Sequence, residues 1–185
     1  MRIEKLQETF DVDVKMVHFP LHPETPQDGI TLEALFAGRD VDLDESYNRM
    51  KGLMDAEGLE YGRRTHTYNS RLAQELGKWA DTQDGGDALH DALYRAYFVN
   101  GRNIGDADTL IAITKEVGLS GKVVHTVLKN RTFQQAVDED WSRSSAMGVT
   151  GVPTYVAAGH GVVGAQPYEV LVQLMEHAGA ARKAG

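Results

Sequence analysis

The chain of 185 residues carries 19 Lys and Arg against 27 Asp and Glu, a formal charge of −8, and no cysteine. The acidic balance argues against nucleic acid as the main partner, because phosphate binding needs a basic surface. The lack of cysteine excludes disulfides, thiolate metal sites and a cysteine nucleophile from this polypeptide, and no apolar run approaches the ~18 residues of a membrane span.

One domain is expected at this length, burying about 70% of its unfolded surface. Ile3, Leu6 and Phe10 lie at helical spacing, and no Ser, Thr, Asp or Asn precedes them as a cap, so the chain reads as beginning inside a helix. Met1-Arg2-Ile3-Glu4-Lys5 lacks the apolar core of a signal peptide, and a cytoplasmic location is expected. From Asp11 to Phe19, Val12, Val14 and Met16 alternate with Asp13 and Lys15, which predicts a half-buried strand. Pro20, Pro23 and Pro26 end it in an extended loop.

Residues 31–147 read as a run of helices. A short one covers Thr31 to Ala37. Asp42 and Glu45 form a capping-box pattern for a helix with Tyr47, Met50 and Met54 inward. Gly58 to Thr67 is expected to be loop. Asn69 caps a helix carrying Leu72, Leu76, Trp79 and Ala80, and Leu89, Leu93, Ala96 and Tyr97 mark the next. Asp106 opens another, with Leu110, Ile113, Thr114 and Val117 on one face and Gly118 at its end. Ser120 begins a helix with Val123, Val124, Val127 and Leu128, and Phe133, Val137 and Trp141 lead the last of the run into Gly148.

The tail reads as strand (Thr154–Ala158), turn (Gly159–Gly161), strand (Val162–Ala165) and a helix striped by Val170, Leu171, Leu174, Met175 and Ala178. The chain is organised around Gly148 to Val156, a small-residue loop that runs through Val152-Pro153 into the first of these strands. Proline cannot donate to a ladder and belongs at a strand's entry. Locally this is a Gly/Pro turn. Were the Val152-Pro153 bond cis, the backbone of Val152 would be free to pair with an extended peptide.

Three motif-like patterns dissolve on inspection. Gly159-x-Gly161-x-x-Gly164 matches a dinucleotide fingerprint, but Val162-Val163 reads as a strand where a helix is needed, so a hairpin turn is expected. Asp40-x-Asp42-x-Asp44 opens like a calcium loop, yet Glu45 stands where Gly is required and Lys51 where Glu is required. His18 and His22 cannot share a helix face across Pro20, and the other histidines are scattered, so no metal site is expected.

Larger pieces carry a family resemblance. Gly151-Val152-Pro153-Thr154 followed by a strand, a hairpin and a last helix resembles the proline half of thioredoxin-like proteins. Val17 to Pro23, Glu57-Gly58-Leu59, Asn69 to Ala73, Arg95 to Phe98, Ile104 to Gly118 and Gly164 to Pro167 resemble, in order, the DsbA-like oxidoreductases of the FrnE type. The resemblance implies an α/β thioredoxin-like (DsbA-like) fold with a large helical insertion: a thioredoxin-like part in residues 1–30 and 149–185, and the insertion in 31–148.

In that family a first strand runs into Cys-x-x-Cys at the start of a helix, whose dipole lowers the first thiol's pKa. Here Arg2 to Leu6 resembles the segment just after those cysteines. The resemblance therefore implies a chain without the first central strand and the catalytic pair, roughly 20 residues. No catalytic residue carries over, and no cofactor is expected. Only Gly151, Val152, Pro153 and Thr154 match position by position, as residues that hold substrate backbone. Asn69-Ser70-Arg71 matches a segment near the family's active side; its local reading is a capped helix start with a surface Arg.

The implied central strand would lie between the strands at 12–19 and 154–158 and bury about four or five apolar side chains, at roughly 1.5–3 kcal/mol each. Without it the flanking strands close up, another segment or a second copy fills the slot, or an apolar groove stays exposed; a homo-oligomer is expected. Three functional readings follow. The first is a DsbA/FrnE-type thiol–disulfide oxidoreductase of protein substrates, redox-inactive as this chain. The second is a non-catalytic peptide-binding module. The third is a relative of the glutathione-dependent isomerases and kappa-class transferases.

Overall fold

A computed structural model describes residues 2–183; Met1, Ala184 and Gly185, the ends of the expected 1–185 domain, lie outside the described residues. In chain order the elements are α1 (Arg2–Thr9), β1 (Ile30–Thr31), α2 (Leu32–Leu35), α3 (Leu43–Ala56), β2 (His66–Thr67), α4 (Arg71–Ala80) and α5 (Asp87–Tyr94), which runs into a π-helical turn (Arg95–Val99). Then follow α6 (Ala107–Glu116), α7 (Gly121–Lys129), α8 (Gln134–Ala146), β3 (Thr154–Ala157), β4 (His160–Val163) and α9 (Tyr168–His177). They group into two units, one of residues up to Leu21 with those from Asp140 onward, the other His22–Glu139.

The second unit is helical. Leu76, Trp79 and Ala80 of α4, Leu89 of α5, Leu110 and Ile113 of α6, and Val124 and Leu128 of α7 share one core, as their helical spacing predicts. Helix starts follow local chemistry. The Asp42 carboxylate accepts from the Asp44 and Glu45 amides, Asp106 from Thr109 and Ser120 from Val123. Each such cap contributes about 1 kcal/mol.

Three expectations in this unit change. The loop expected over Gly58 to Thr67 ends in β2, which pairs antiparallel with β1, Ile30 opposite Thr67 and Thr31 opposite His66; two-residue strands leave no periodicity to read. Gly29 leads into β1 with φ +85, and a Cβ there would stand 2.4 Å from the Tyr68 ring. No residue of α3 is fully buried, so Tyr47, Met50 and Met54 form a half-buried stripe. Val123 of α7 is exposed, one position off the inward face.

In the first unit α1 and α9 clasp a small core of Leu6, Phe10, Leu171, Leu174 and Met175. Arg2 ties the start of α1 to the chain before α9, its guanidinium donating to the Gln166 carbonyl at 2.7 Å. β3 and β4 form an antiparallel hairpin whose Tyr155, Ala157 and Val162 pack onto that core.

The strand expected over Asp11 to Phe19 does not form. Phe10 makes an isolated bridge with Arg182, Asp11 donates to the Ala181 carbonyl, and the chain then leaves without a ladder. Alternation supplies a strand's side-chain pattern but no partner, and an extended segment without a partner remains loop. His18 instead donates its amide to the Asp140 carboxylate at 3.0 Å, and Val14 and Met16 stay exposed.

β3 starts at Thr154 as expected, but the turn is shorter and β4 lies two residues earlier than expected: Ala157 pairs with His160, leaving Ala158-Gly159 as the turn. Both turn residues have positive φ, 47 and 81, the backbone that matches the twist of a two-residue hairpin. Gly159, Gly161 and Gly164 therefore belong to a hairpin and its exit, as the reading against a dinucleotide fingerprint requires.

Candidate functional site: the proline loop and the open edge of the hairpin

The loop begins where α8 stops at Gly148, whose φ of +69 ends the helix without a Cβ penalty. From Gly148 to Val163 there is no Asp, Glu, Lys or Arg. Thr154 closes the loop on itself, its hydroxyl donating to the Gly151 carbonyl at 2.7 Å. The Pro153 carbonyl accepts from the Gly164 amide at 2.7 Å, so the loop's exit is anchored to the end of β4. The Val152-Pro153 peptide is cis. Val152 is 51% exposed and Pro153 is exposed beside it, with Gly151 and Thr154 half-buried.

The hairpin register decides what the loop leads into. In a two-residue hairpin the pair that flanks the turn exchanges hydrogen bonds, and bonding alternates from there. Ala157 and Tyr155 therefore bond toward β4, and the Pro153–Gly164 bond continues that series. Thr154 and Val156 turn their N–H and C=O to the other edge. Among the described residues no strand occupies that edge, and Val152 has no main-chain hydrogen bond either. Val152, Thr154 and Val156 thus present a row of backbone donors and acceptors, which is a template for an added strand.

The hairpin face turned away from the core carries Val156 and Val163, 44% and 55% exposed. An extended segment on the open edge would find apolar contact there and no charge to desolvate. Such a site holds a chain by its backbone. Among Gly151 to Thr154 the one polar side-chain group is the Thr154 hydroxyl, which is spent on the Gly151 carbonyl, and there is no carboxylate, amine or imidazole.

The other candidates fall elsewhere. Asn69 accepts from the Arg71 amide at 2.9 Å and donates to the Thr25 carbonyl at 2.7 Å, but the N-cap of α4 is Ser70, whose side chain makes no cap bond; Asn69 supports the helix start from one residue before the expected cap position. Arg71 is not a surface residue: its guanidinium reaches the buried Glu75 carboxylate, the Gln134 carbonyl and Asp138. In the acidic run, Asp42 caps α3 and Asp44 pairs with Arg63 at 2.5 Å. No three His, Asp or Glu side chains converge as a metal site among the described residues. None of the described helices is long and apolar enough to cross a membrane.

The residues expected from the sequence stop at Thr154 and do not include Val156. Alternation along Thr154 to Ala157 marks its face, but only the turn position tells which residues bond inward.

Comparison with known proteins bears on this geometry. The family model of the DSBA-like thioredoxin domain matches residues 1–176. Protein YwbO of Bacillus subtilis (strain 168) is 30% identical over 109 residues, which are 57% of this chain and 52% of that protein. The match thus spans about half of that relative. The crystal structure of a probable DsbA oxidoreductase from Streptomyces coelicolor superimposes with a TM-score of 0.86 at 28% identity, over 100% of this chain and 85% of that one.

Proposed function

This chain belongs to the DSBA-like thioredoxin domain family, and from that premise we propose that it is the substrate-holding part of a DsbA/FrnE-type thiol–disulfide oxidoreductase. Its fold is the DsbA-like thioredoxin fold, mixed α/β with substantial helix. In this reading Gly151, Val152, Pro153 and Thr154, with the open edge of β3, take the extended backbone of a protein substrate as an added strand. The observation that carries it is the uncharged row of free backbone groups at Val152, Thr154 and Val156 in a chain of this family. Recognition through main chain is tolerant of side-chain identity, which suits a catalyst that meets many proteins.

Disulfide exchange needs a thiolate to attack a sulfur. The 185 residues hold none, so this polypeptide by itself runs no dithiol cycle, and any exchange draws on cysteines outside them. The absence of cysteine favours a second reading, a module that holds extended peptides without chemistry. Either way the open edge also suits a second copy of the chain, and self-association belongs to the proposal.

The test is fluorescence anisotropy of a labelled, cysteine-free, unfolded peptide. Binding that Val152→Asp and Val156→Lys each weaken about tenfold supports the site; undiminished binding in both overturns it. The intact mass of the protein from its own cells then separates the readings. Cysteine-bearing sequence beyond these residues supports the oxidoreductase, and a mass equal to the 185 residues supports the holding module. Turnover of a disulfide substrate by the 185-residue chain overturns the redox-inactive assignment.

A further inference from the structure

At the turn end of the hairpin two histidines from different elements meet. His160 is the first residue of β4, directly after Ala158-Gly159, and His177 is the last residue of α9. Their ring centroids lie 4.3 Å apart with the planes at 88°. Both attachment points are set by packed structure. The Ala157–His160 pair holds one, and Leu174 and Met175 of α9, in the same core as Val162, hold the other. Both side chains are exposed, so solvent reaches the rings and small ligands have room beside them.

Several other histidine rings have a polar partner: His22 faces Glu24, His66 meets the Thr65 hydroxyl and His90 meets Asp81. The rings of His160 and His177 have each other and no hydrogen-bond partner among the described residues. Glu176, next along α9, is taken by Arg182 at 2.6 Å.

The separation has a chemical meaning. With metal–nitrogen bonds of about 2.0–2.1 Å, two imidazoles on adjacent positions of one metal have centroids about 4.5 Å apart at a right angle, and about 5.2 Å apart at a tetrahedral angle. The observed 4.3 Å matches the right-angled arrangement. Right-angled nitrogen ligation is the preference of Cu(II) and Ni(II), whereas Zn(II) favours the wider angle, and Cu(II) stands highest in the affinity order.

We propose that His160 and His177 form a two-histidine surface site for a divalent transition metal, selective for Cu(II), with water completing the coordination. The ligands come from a strand and a helix packed on one core, so the separation of the two rings is set by the fold. It lies outside the proline loop residues and does not depend on the function proposed for them.

The experiment is a Cu(II) titration of the 185-residue chain in competition with a weak chelator, read by calorimetry and by electron paramagnetic resonance. One equivalent with the hyperfine pattern of nitrogen ligands is expected, with affinity falling from Cu(II) to Ni(II) to Zn(II). His160→Phe and His177→Phe should each weaken Cu(II) binding about tenfold or more. Phenylalanine keeps the ring contact and removes the ligand, so an unchanged melting temperature alongside lost copper separates ligation from packing. His125→Ala should leave binding as it was. No stoichiometric complex, or wild-type affinity in the His160→Phe chain, overturns the proposal.

Discussion

Arg131 grips both oxygens of the Glu75 carboxylate, Nε donating to Oε2 at 2.7 Å and Nη2 to Oε1 at 2.6 Å. Arg71, one helical turn before Glu75, adds Nε to Oε1 at 2.7 Å. Glu75 is 1% exposed, and Arg131 reaches it from a left-handed backbone with φ 52. A buried ion pair contributes little over an apolar substitute, but removing one partner leaves the others uncompensated. Glu75→Ala should therefore cost about 3 kcal/mol, at the low end of that range because Arg131 is partly exposed. For a chain of this size that lowers the melting temperature by about 6–12 °C. Adding Arg131→Ala should cost less than the sum of the two changes. A urea titration that finds Glu75→Ala within 0.5 kcal/mol of the wild type, about the scatter of a surface substitution, would refute this.

The same carboxylate makes stability depend on pH. Burial pushes the Glu75 carboxyl up, but hydrogen bonds from Arg131 and Arg71 outweigh it and hold it below the ordinary glutamate value. A lowered folded pKa means that the folded state favours the ionised form. The contribution is complete above the unfolded value of about 4.3 and fades as pH falls through the lower folded value. The stability gap between wild type and Glu75→Gln should be constant from pH 7 to 5 and narrow below about pH 4. Urea midpoints across that range check it, and a gap that widens on acidification would contradict the sign.

Ala158 holds a left-handed backbone, φ 47, at the first turn position of the hairpin. An alanine there costs about 1–2 kcal/mol that glycine avoids and asparagine reduces. Ala158→Asn creates the Asn-Gly pair that such turns prefer and should stabilise the first unit by about 1 kcal/mol. Thermal unfolding followed by tyrosine absorbance would register it, and a lower melting temperature would show that the turn has another conformation.

Gly62 lies against the π-helical turn, its amide donating to the Phe98 carbonyl at 2.8 Å. A Cβ at this position would stand 2.0 Å from the Val99 carbonyl oxygen. Backbone cannot yield as a side-chain tip does, so Gly62→Ala should cost about 2 kcal/mol or more. It should also speed hydrogen exchange at the Gly62 amide. Unchanged exchange and stability would mean that the loop from Gly58 is not seated on the turn.

What could be read in advance divides by the range of the interaction. The caps at Asp42, Asp106 and Ser120 and the apolar faces of α4, α6 and α9 follow from neighbours within a turn or two of helix. Glu75 was invisible because its partner Arg131 lies 56 residues away and a glutamate on a helix reads as solvated. The strand expected at 11–19 failed for the same reason in reverse, since its pattern is local and its missing partner is not. The hairpin was visible and its register was not, because no glycine or asparagine marks Ala158 as a turn residue.

The helical second unit, the hairpin and the turn-forming character of Gly151–Thr154 are legible in the residues alone, because helix spacing, capping and proline chemistry act between close neighbours. That Val152, Thr154 and Val156 face an edge with no strand on it among the described residues, that His160 meets His177, and that Glu75 is buried between two arginines emerges only in the folded chain. Each of those depends on which distant segments meet, and hydrogen bonding and burial are settled by the partner rather than by the residue alone.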